Sequence, residues 1–125
     1  MSFFAKDMHT KTNKTPLEKD VQNTICEYLL AKNYFFWRNN VIPVFGRNNG
    51  GKMAFRSMGK YAMKGLPDII IIINGKFVGI EVKRQGIDAL RPEQIHFRDK
   101  CIENNTYYIV VHSLEELVEG IKKIR

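Results

Sequence analysis

Cysteine is scarce. The two present in 125 residues, Cys26 and Cys101, are too few for a disulfide framework or a cysteine zinc site. Both fall at apolar helical positions, so they read as reduced core residues and point to a cytoplasmic setting. The three histidines, His9, His96 and His112, lack ligand spacing, and none is assigned to a metal. No apolar run approaches the ~20 residues that span a bilayer; the five isoleucines at 69–73 fall far short. The opening M-S-F-F-A-K-D-M-H-T-K has no apolar signal core, so export is not expected. Repeats and low-complexity tracts are also missing. The most informative absence is of acids: no Asp or Glu occurs between Glu27 and Asp68.

The same interval holds Lys32, Arg38, Arg47, Lys52, Arg56, Lys60 and Lys64. The net charge is +7, and outside this interval 13 basic residues balance 13 acidic ones, so the whole excess lies in one segment. The run Gly46-Arg47-Asn48-Asn49-Gly50-Gly51-Lys52 reads as a turn-rich basic loop, continued by 56–64, with Met53, Met58, Tyr61 and Met63 interspersed. Cations supply affinity for phosphates, and rings can contact sugars or stacked bases. A merely solvated basic loop is the alternative. With 44% hydrophobic and 26% charged residues, the chain has the composition of a soluble globular protein. Residues 15–125 are expected to form a single domain behind a polar, mobile N-terminal arm at 1–14, in which Phe3 and Phe4 stand out.

The stretch from Gly65 to Arg84, G-L-P-D-I-I-I-I-I-N-G-K-F-V-G-I-E-V-K-R, joins two β-branched runs through Asn74-Gly75. Asn-Gly in that setting is the strongest short-range signal for a tight hairpin. A two-residue loop pairs Ile73 with Lys76, Ile71 with Val78 and Asp68 with Glu81, and alternation puts Lys83 on the same face as both acids. Like charges directly opposite destabilise a sheet, so their coincidence favours a bound cation. Two carboxylates at that spacing suit Mg²⁺ or Mn²⁺, with Lys83 placed to orient water or stabilise charge on phosphorus. Taken singly, Pro67-Asp68 is ordinary turn chemistry and Glu81-Val82-Lys83 an ordinary exposed ion pair.

Upstream, Thr15-Pro16-Leu17-Glu18 reads as a capping box opening a helix to about 32, with Val21, Ile25, Cys26, Leu29 and Leu30 inward. Aromatic, extended sequence at 34–39 and a run at 41–45 read as strands, Pro43 marking an edge or bulge. Downstream, Pro92 opens a helix to about 104 with Ile95, Phe97, Cys101 and Ile102 inward. Gln94 sits in its first turn, beside the end of the 81–83 strand if the connection is short. Residues 106–111 read as a buried strand parallel to 76–83 in the sheet interior. Ser113-Leu114-Glu115-Glu116 then opens a final helix. The expected order is α-β-β-β-β-α-β-α, an α/β fold with a mixed sheet flanked by helices.

Pro67-Asp68, the apolar strand and turn, and Glu81-Val82-Lys83 resemble the PD-(D/E)xK nuclease signature. Lys64-Gly65-Leu66-Pro67-Asp68, Gly79-Ile80-Glu81-Val82-Lys83, Gly86, Leu90-x-x-x-Gln94 and Phe97 narrow the resemblance to VRR-NUC nuclease domains, over about 16–124. Arg91 departs from the family, whose members often carry Ser or Thr there. The resemblance implies a restriction-endonuclease-like core and a Mg²⁺- or Mn²⁺-dependent DNA endonuclease. It implies metal ligands Asp68, Glu81, the Val82 carbonyl and a first-helix glutamate, for which Glu18 followed by Gln22 is the match. Glu18 is explicable as a cap partner as well. It also implies that Lys83 positions and activates the attacking water, and that Gln94 contacts water or the scissile phosphate. DNA phosphates would meet Arg38, Arg47, Lys52, Arg56, Lys60, Lys64 and Arg84. Stand-alone members resemble Holliday-junction resolvases, so a homodimer cutting branched DNA is expected. The rivals are a non-catalytic DNA-binding module on the same scaffold, a monomeric flap nuclease or nickase, and an unrelated basic α/β domain that binds RNA or protein.

Overall fold

Three apolar residues spaced four apart, Val21, Ile25 and Leu29, form the stripe that seats the first helix, α1 (Glu18–Ala31), and all three are buried. The computed structural model describes residues 15–39, 45–47, 53–55 and 60–124, with 45–47 and 53–55 as backbone. Strands β1 (Phe35–Arg38), β2 (Phe45–Arg47), β3 (Met53–Phe55), β4 (Ile69–Ile73) and β5 (Lys76–Val82) follow α1. Then come α2 (Pro92–Glu103), β6 (Tyr107–Val111) and α3 (Leu114–Ile124). The expected arm at 1–14 and the strand residues 41–44 lie outside the described residues.

The main sheet has the order β1-β4-β5-β6, antiparallel except for the parallel β5–β6 pair. It is the mixed, helix-flanked sheet expected, with one strand more before α2. The added strand arises because the stretch read as a basic loop is bordered by a ladder, with Phe45 opposite Phe55, Gly46 opposite Ala54 and Arg47 opposite Met53. Asn and Gly between two short strands are again hairpin chemistry.

Alternation divides the main sheet into two faces. Ile69, Ile71, Ile73, Val78, Ile80, Val82 and Val111 point toward α1 and α3, where they pack with Ile25, Leu29, Leu117 and Ile121. Each such side chain taken fully out of water is worth roughly 1.5–3 kcal/mol. The opposite face carries Ile70, Phe77, Gly79, Glu81 and Tyr108. There α2 lies across the sheet, Phe97 meeting Phe77 and Tyr108 at centroid separations of 6.4 and 6.2 Å.

Several local expectations are corrected. Leu30 is 70% exposed and Ile102 62%, while Ile95 also faces outward. The buried positions of α2 are Gln94, Phe97 and Cys101, a stripe at i, i+3 and i+7 that includes the glutamine. The helix face is therefore set by a polar residue, which an apolar count passes over. No capping box forms at Thr15 and Glu18: α1 begins at Glu18 with Leu17 as its N-cap and no side-chain cap. Strand β6 is parallel to β5 as expected but is an edge of the sheet, since no described strand pairs beyond it. At α3, the Glu116 N–H donates to Ser113 Oγ at 3.2 Å, as the capping motif predicts.

Candidate metal centre and active site

Asn74 (φ 51°) and Gly75 (φ 80°) both adopt the left-handed conformation that a two-residue type I′ turn requires. The resulting register pairs Ile73 with Lys76 and Ile69 with Ile80, so the next pair along is Asp68 and Glu81. The backbone around that pair departs from a regular ladder. Opposite Val82 stands Pro67, which has no N–H, and its carbonyl accepts from Asn39 Nδ2 at 2.9 Å. The Val82 N–H donates instead to Asp68 Oδ2 at 2.8 Å. Proline thus leaves the Val82 carbonyl without a ladder donor beside the acids. Asn39 adds a second brace, its N–H donating to the Asp68 carbonyl at 2.8 Å. Sequence reasoning missed Asn39, and only the edge-strand register could have revealed it.

One residue, Gln94, then closes over the acids from α2. Gln94 is buried, and its Nε2 donates to Glu81 Oε2 at 3.1 Å. Its Oε1 accepts from Lys83 Nζ at 3.1 Å and from the Arg91 N–H at 2.9 Å. The last of these is half of a capping box. Arg91, having no acceptor, cannot supply the other half, which makes its departure from Ser or Thr a change of cap and leaves the acids untouched.

The connection between hairpin and helix is held close by Gly65. It has φ +77°, and a Cβ there would overlap the Glu93 carbonyl. Gly79 serves the same end on β5, since a Cβ there would come within 2.9 Å of the Pro67 ring. Two glycines of the motif are thus explained by close approach, one to the first turn of α2 and one to the residue that sets Asp68.

Glu81 is 3% exposed, and its Oε1 has no hydrogen-bond partner. Burial first, then the nearby Asp68 carboxyl, push Glu81 up to about 8, with Lys83 and Arg91 pulling the other way. Tyr108, on the same face, has a buried hydroxyl that also lacks a partner. Burial and the charges of Glu81 and Asp68 raise its pKa, so it keeps its proton. Asp68 is only half-buried and, with Glu81, Gln94, Asn39 and Gly65, lines a cavity of about 260 Å³.

A buried carboxylate oxygen with no donor, beside a second carboxylate, fits a hard divalent cation, which takes one or two carboxylates and completes its shell with water or phosphate. Among the described residues no third His, Cys, Asp or Glu joins this pair to make a group of three. Glu18 is not among the described residues that line the cavity, and Glu93, which does line it, pairs with Arg91 at 3.4 Å. A larger groove of about 510 Å³ between β6 and α3 contains none of these residues.

The expected phosphate contacts divide into three groups. Lys60, Lys64 and Arg84 are exposed. Arg38 donates to Gln22 Oε1 at 3.0 Å and Asn23 Oδ1 at 2.7 Å, which ties it to α1 on the other side of the sheet from the cluster. Lys52 and Arg56, and the side chain of Arg47, lie outside the described residues. No family model matches the sequence, and comparison with curated proteins and with solved structures gives no match. No described helix is long and apolar enough to cross a membrane.

Proposed function

We propose that the chain is a divalent-metal-dependent endonuclease of the PD-(D/E)xK superfamily, of VRR-NUC type, hydrolysing phosphodiester bonds in DNA. One observation carries the reading: two carboxylates and a glutamine from two separate elements line one cavity, the Lys83 ammonium is held 3.1 Å from that glutamine's Oε1, and a buried Glu81 oxygen has no partner. A buried acid directly opposite a half-buried one weakens an apoprotein, so a fold that keeps them has a use for them.

Asp68, Glu81 and the Val82 carbonyl would hold Mg²⁺ or Mn²⁺. The bound cation supplies positive charge to the phosphate and acidifies water. Lys83, fixed by Gln94, presents its ammonium beside the acids, where it orients the attacking water and neutralises charge on phosphate oxygens. Gln94 keeps the ammonium and the Glu81 carboxylate apart at a fixed spacing. The burial of both shields them from competing water. Glu18 has no role in this arrangement.

The acid-free segment supplies the sequence-independent attraction for the DNA backbone. One such cluster attacks one phosphodiester, so cleavage of both strands requires two copies, and a two-fold homodimer matches a branched substrate such as a four-way junction. The protein would act in the cytoplasm of a bacterial or phage-infected cell.

The test is incubation with linear, flap and four-way DNA in Mg²⁺ or Mn²⁺, alongside thermal melting with Mn²⁺ or Ca²⁺. Cleavage should vanish in Asp68→Ala and Glu81→Ala while DNA binding survives. The wild type, unlike these variants, should gain stability from the cation by mass action. DNA binding with neither cleavage nor metal-dependent stabilisation would identify a non-catalytic DNA-binding module instead. A monomer in sedimentation that only nicks supercoiled plasmid would make it a nickase or flap nuclease.

A further inference from the structure

Strand β1 forms the edge of the sheet next to β4, and its side chains alternate sharply in environment. Phe36 packs against the core and Arg38 is held by α1, whereas Phe35 and Trp37, on the other face, are 68% and 42% exposed. Single exposed aromatics are commonplace on protein surfaces. Here two stand side by side, their centroids 5.8 Å apart at an interplanar angle of 51°, so neither ring covers the face of the other.

Their position is set by register. Phe35 lies opposite Ile72 and Trp37 opposite Ile70, and the next residue on that face, Asn39, donates its N–H to the Asp68 carbonyl at 2.8 Å. Residues two apart on a strand are separated by about 7 Å. Phe35, Trp37 and Asn39 therefore make a row that ends at the acid pair. Met63 lines the same cavity as Asn39, and Tyr61, two residues earlier, is 89% exposed with Lys60 Nζ 5.5 Å from its ring centre.

We infer that Phe35 and Trp37 form a base-stacking ledge for single-stranded nucleic acid, leading an unpaired strand along the sheet edge to the Asp68–Glu81 cluster. The choice of occupant follows from charge. Both rings lie within the sequence segment that holds seven cations and no acid; of these Arg38 is turned to α1, while Lys32, Lys60 and Lys64 are exposed. An unpaired strand carries bases that can stack and phosphates that require cations, whereas a duplex keeps its bases stacked on one another. The inference rests on the nuclease reading and narrows its substrate: the bond cut would lie in or beside unpaired nucleotides, as at a flap or an opened branch point.

Trp37 is the only tryptophan in the chain, so its fluorescence reports on the ledge directly. The experiment is titration of the whole protein, in EDTA so that nothing is cut, with an oligothymidylate and with a duplex of equal length. Saturable quenching is expected with the oligothymidylate. Phe35→Ala, which keeps the reporter, should weaken its binding about tenfold and leave duplex affinity within about twofold. Trp37→Ala, followed by anisotropy of a labelled strand, should do the same, and Trp37→Phe should recover most of the loss. Unquenched Trp37 at saturating oligothymidylate, or equal losses on single strand and duplex, would overturn the ledge. So would a dimer that dissociates in Trp37→Ala with single-strand affinity unchanged, since that assigns the face to a second copy. Because the titration is run without metal, it is independent of cleavage: a protein that quenches here but never cleaves when Mg²⁺ or Mn²⁺ is supplied refutes the nuclease reading alone. One that cleaves but binds duplex and single strand identically refutes the ledge alone.

Discussion

Gln94 and Glu81 come from different elements, a helix and a strand, yet Gln94 Nε2 donates to Glu81 Oε2 at 3.1 Å in the buried interior. The same amide accepts from Lys83 Nζ at 3.1 Å, so one side chain spaces the ammonium from the carboxylate. Gln94→Leu would keep the volume and strand both partners. Each polar group left buried and unpaired costs about 1–3 kcal/mol, so the denaturation midpoint should fall measurably in urea.

Lys83→Met separates two roles for the amine. If Lys83 acts on water or phosphate, cleavage is lost while Mn²⁺ affinity, followed by calorimetry, stays near the wild-type value. A loss of affinity matching that of Glu81→Ala would reduce Lys83 to a counter-charge for the acids.

The raised pKa of Glu81 makes stability depend on pH with a definite sign. The folded protein holds a proton up to about 8 that the unfolded chain releases near 4.5. The associated stability is complete below 4.5 and declines as pH rises across that window. Glu81→Gln removes the decline. In metal-free buffer its melting temperature should match the wild type near the acid end and clearly exceed it above the upper end. Added Mn²⁺ should narrow the gap by stabilising only the wild type.

Gly65 and Gly75 share a positive φ, at +77° and +80°, but differ in their neighbours. A Cβ on Gly75 meets nothing, whereas one on Gly65 overlaps the Glu93 carbonyl. Alanine at either site incurs backbone strain of about 1–3 kcal/mol. Only Gly65→Ala must also push back the first turn of α2. Urea denaturation should rank Gly65→Ala as the less stable, and cleavage should fall in it alone, because Gln94 moves with that turn.

His112 clamps the β5–α2 loop to α3. Its Nδ1 lies 2.9 Å from Glu116 Oε1 and its Nε2 3.0 Å from the Ile87 carbonyl and 2.9 Å from Asp88 Oδ1. The hydrogen bond to Glu116, then the Ile87 carbonyl and the two carboxylates, raise its pKa against the opposing effect of burial. Its stabilisation is therefore complete below the ordinary value of 6.5 and is lost as pH rises through the folded value. Since Glu81 slopes the same way, the measurement belongs in the Glu81→Gln background. There, melting temperatures should fall from pH 6 to pH 8.5, and His112→Ala should flatten the profile.

What could be read from the chain alone was local. Asn74-Gly75 between β-branched runs determines a hairpin, and the hairpin's register places Asp68, Glu81 and Lys83 on one face, because turn geometry and strand alternation act over only a few residues. The spacing of Val21, Ile25 and Leu29 likewise determines the core face of α1. Tertiary structure decided what depends on segments distant in sequence. The face of α2 turned on Gln94, whose burial is favourable only because Glu81 and Lys83 wait across the interface. Pro67 mattered through Val82, fifteen residues away on another strand, whose carbonyl it leaves without a ladder donor. The edge position of β6, the removal of Arg38 to α1 and the exposure of Phe35 beside Trp37 follow from which strands remain unpaired. Long-range pairing is a competition among all segments, and no window of sequence contains its outcome.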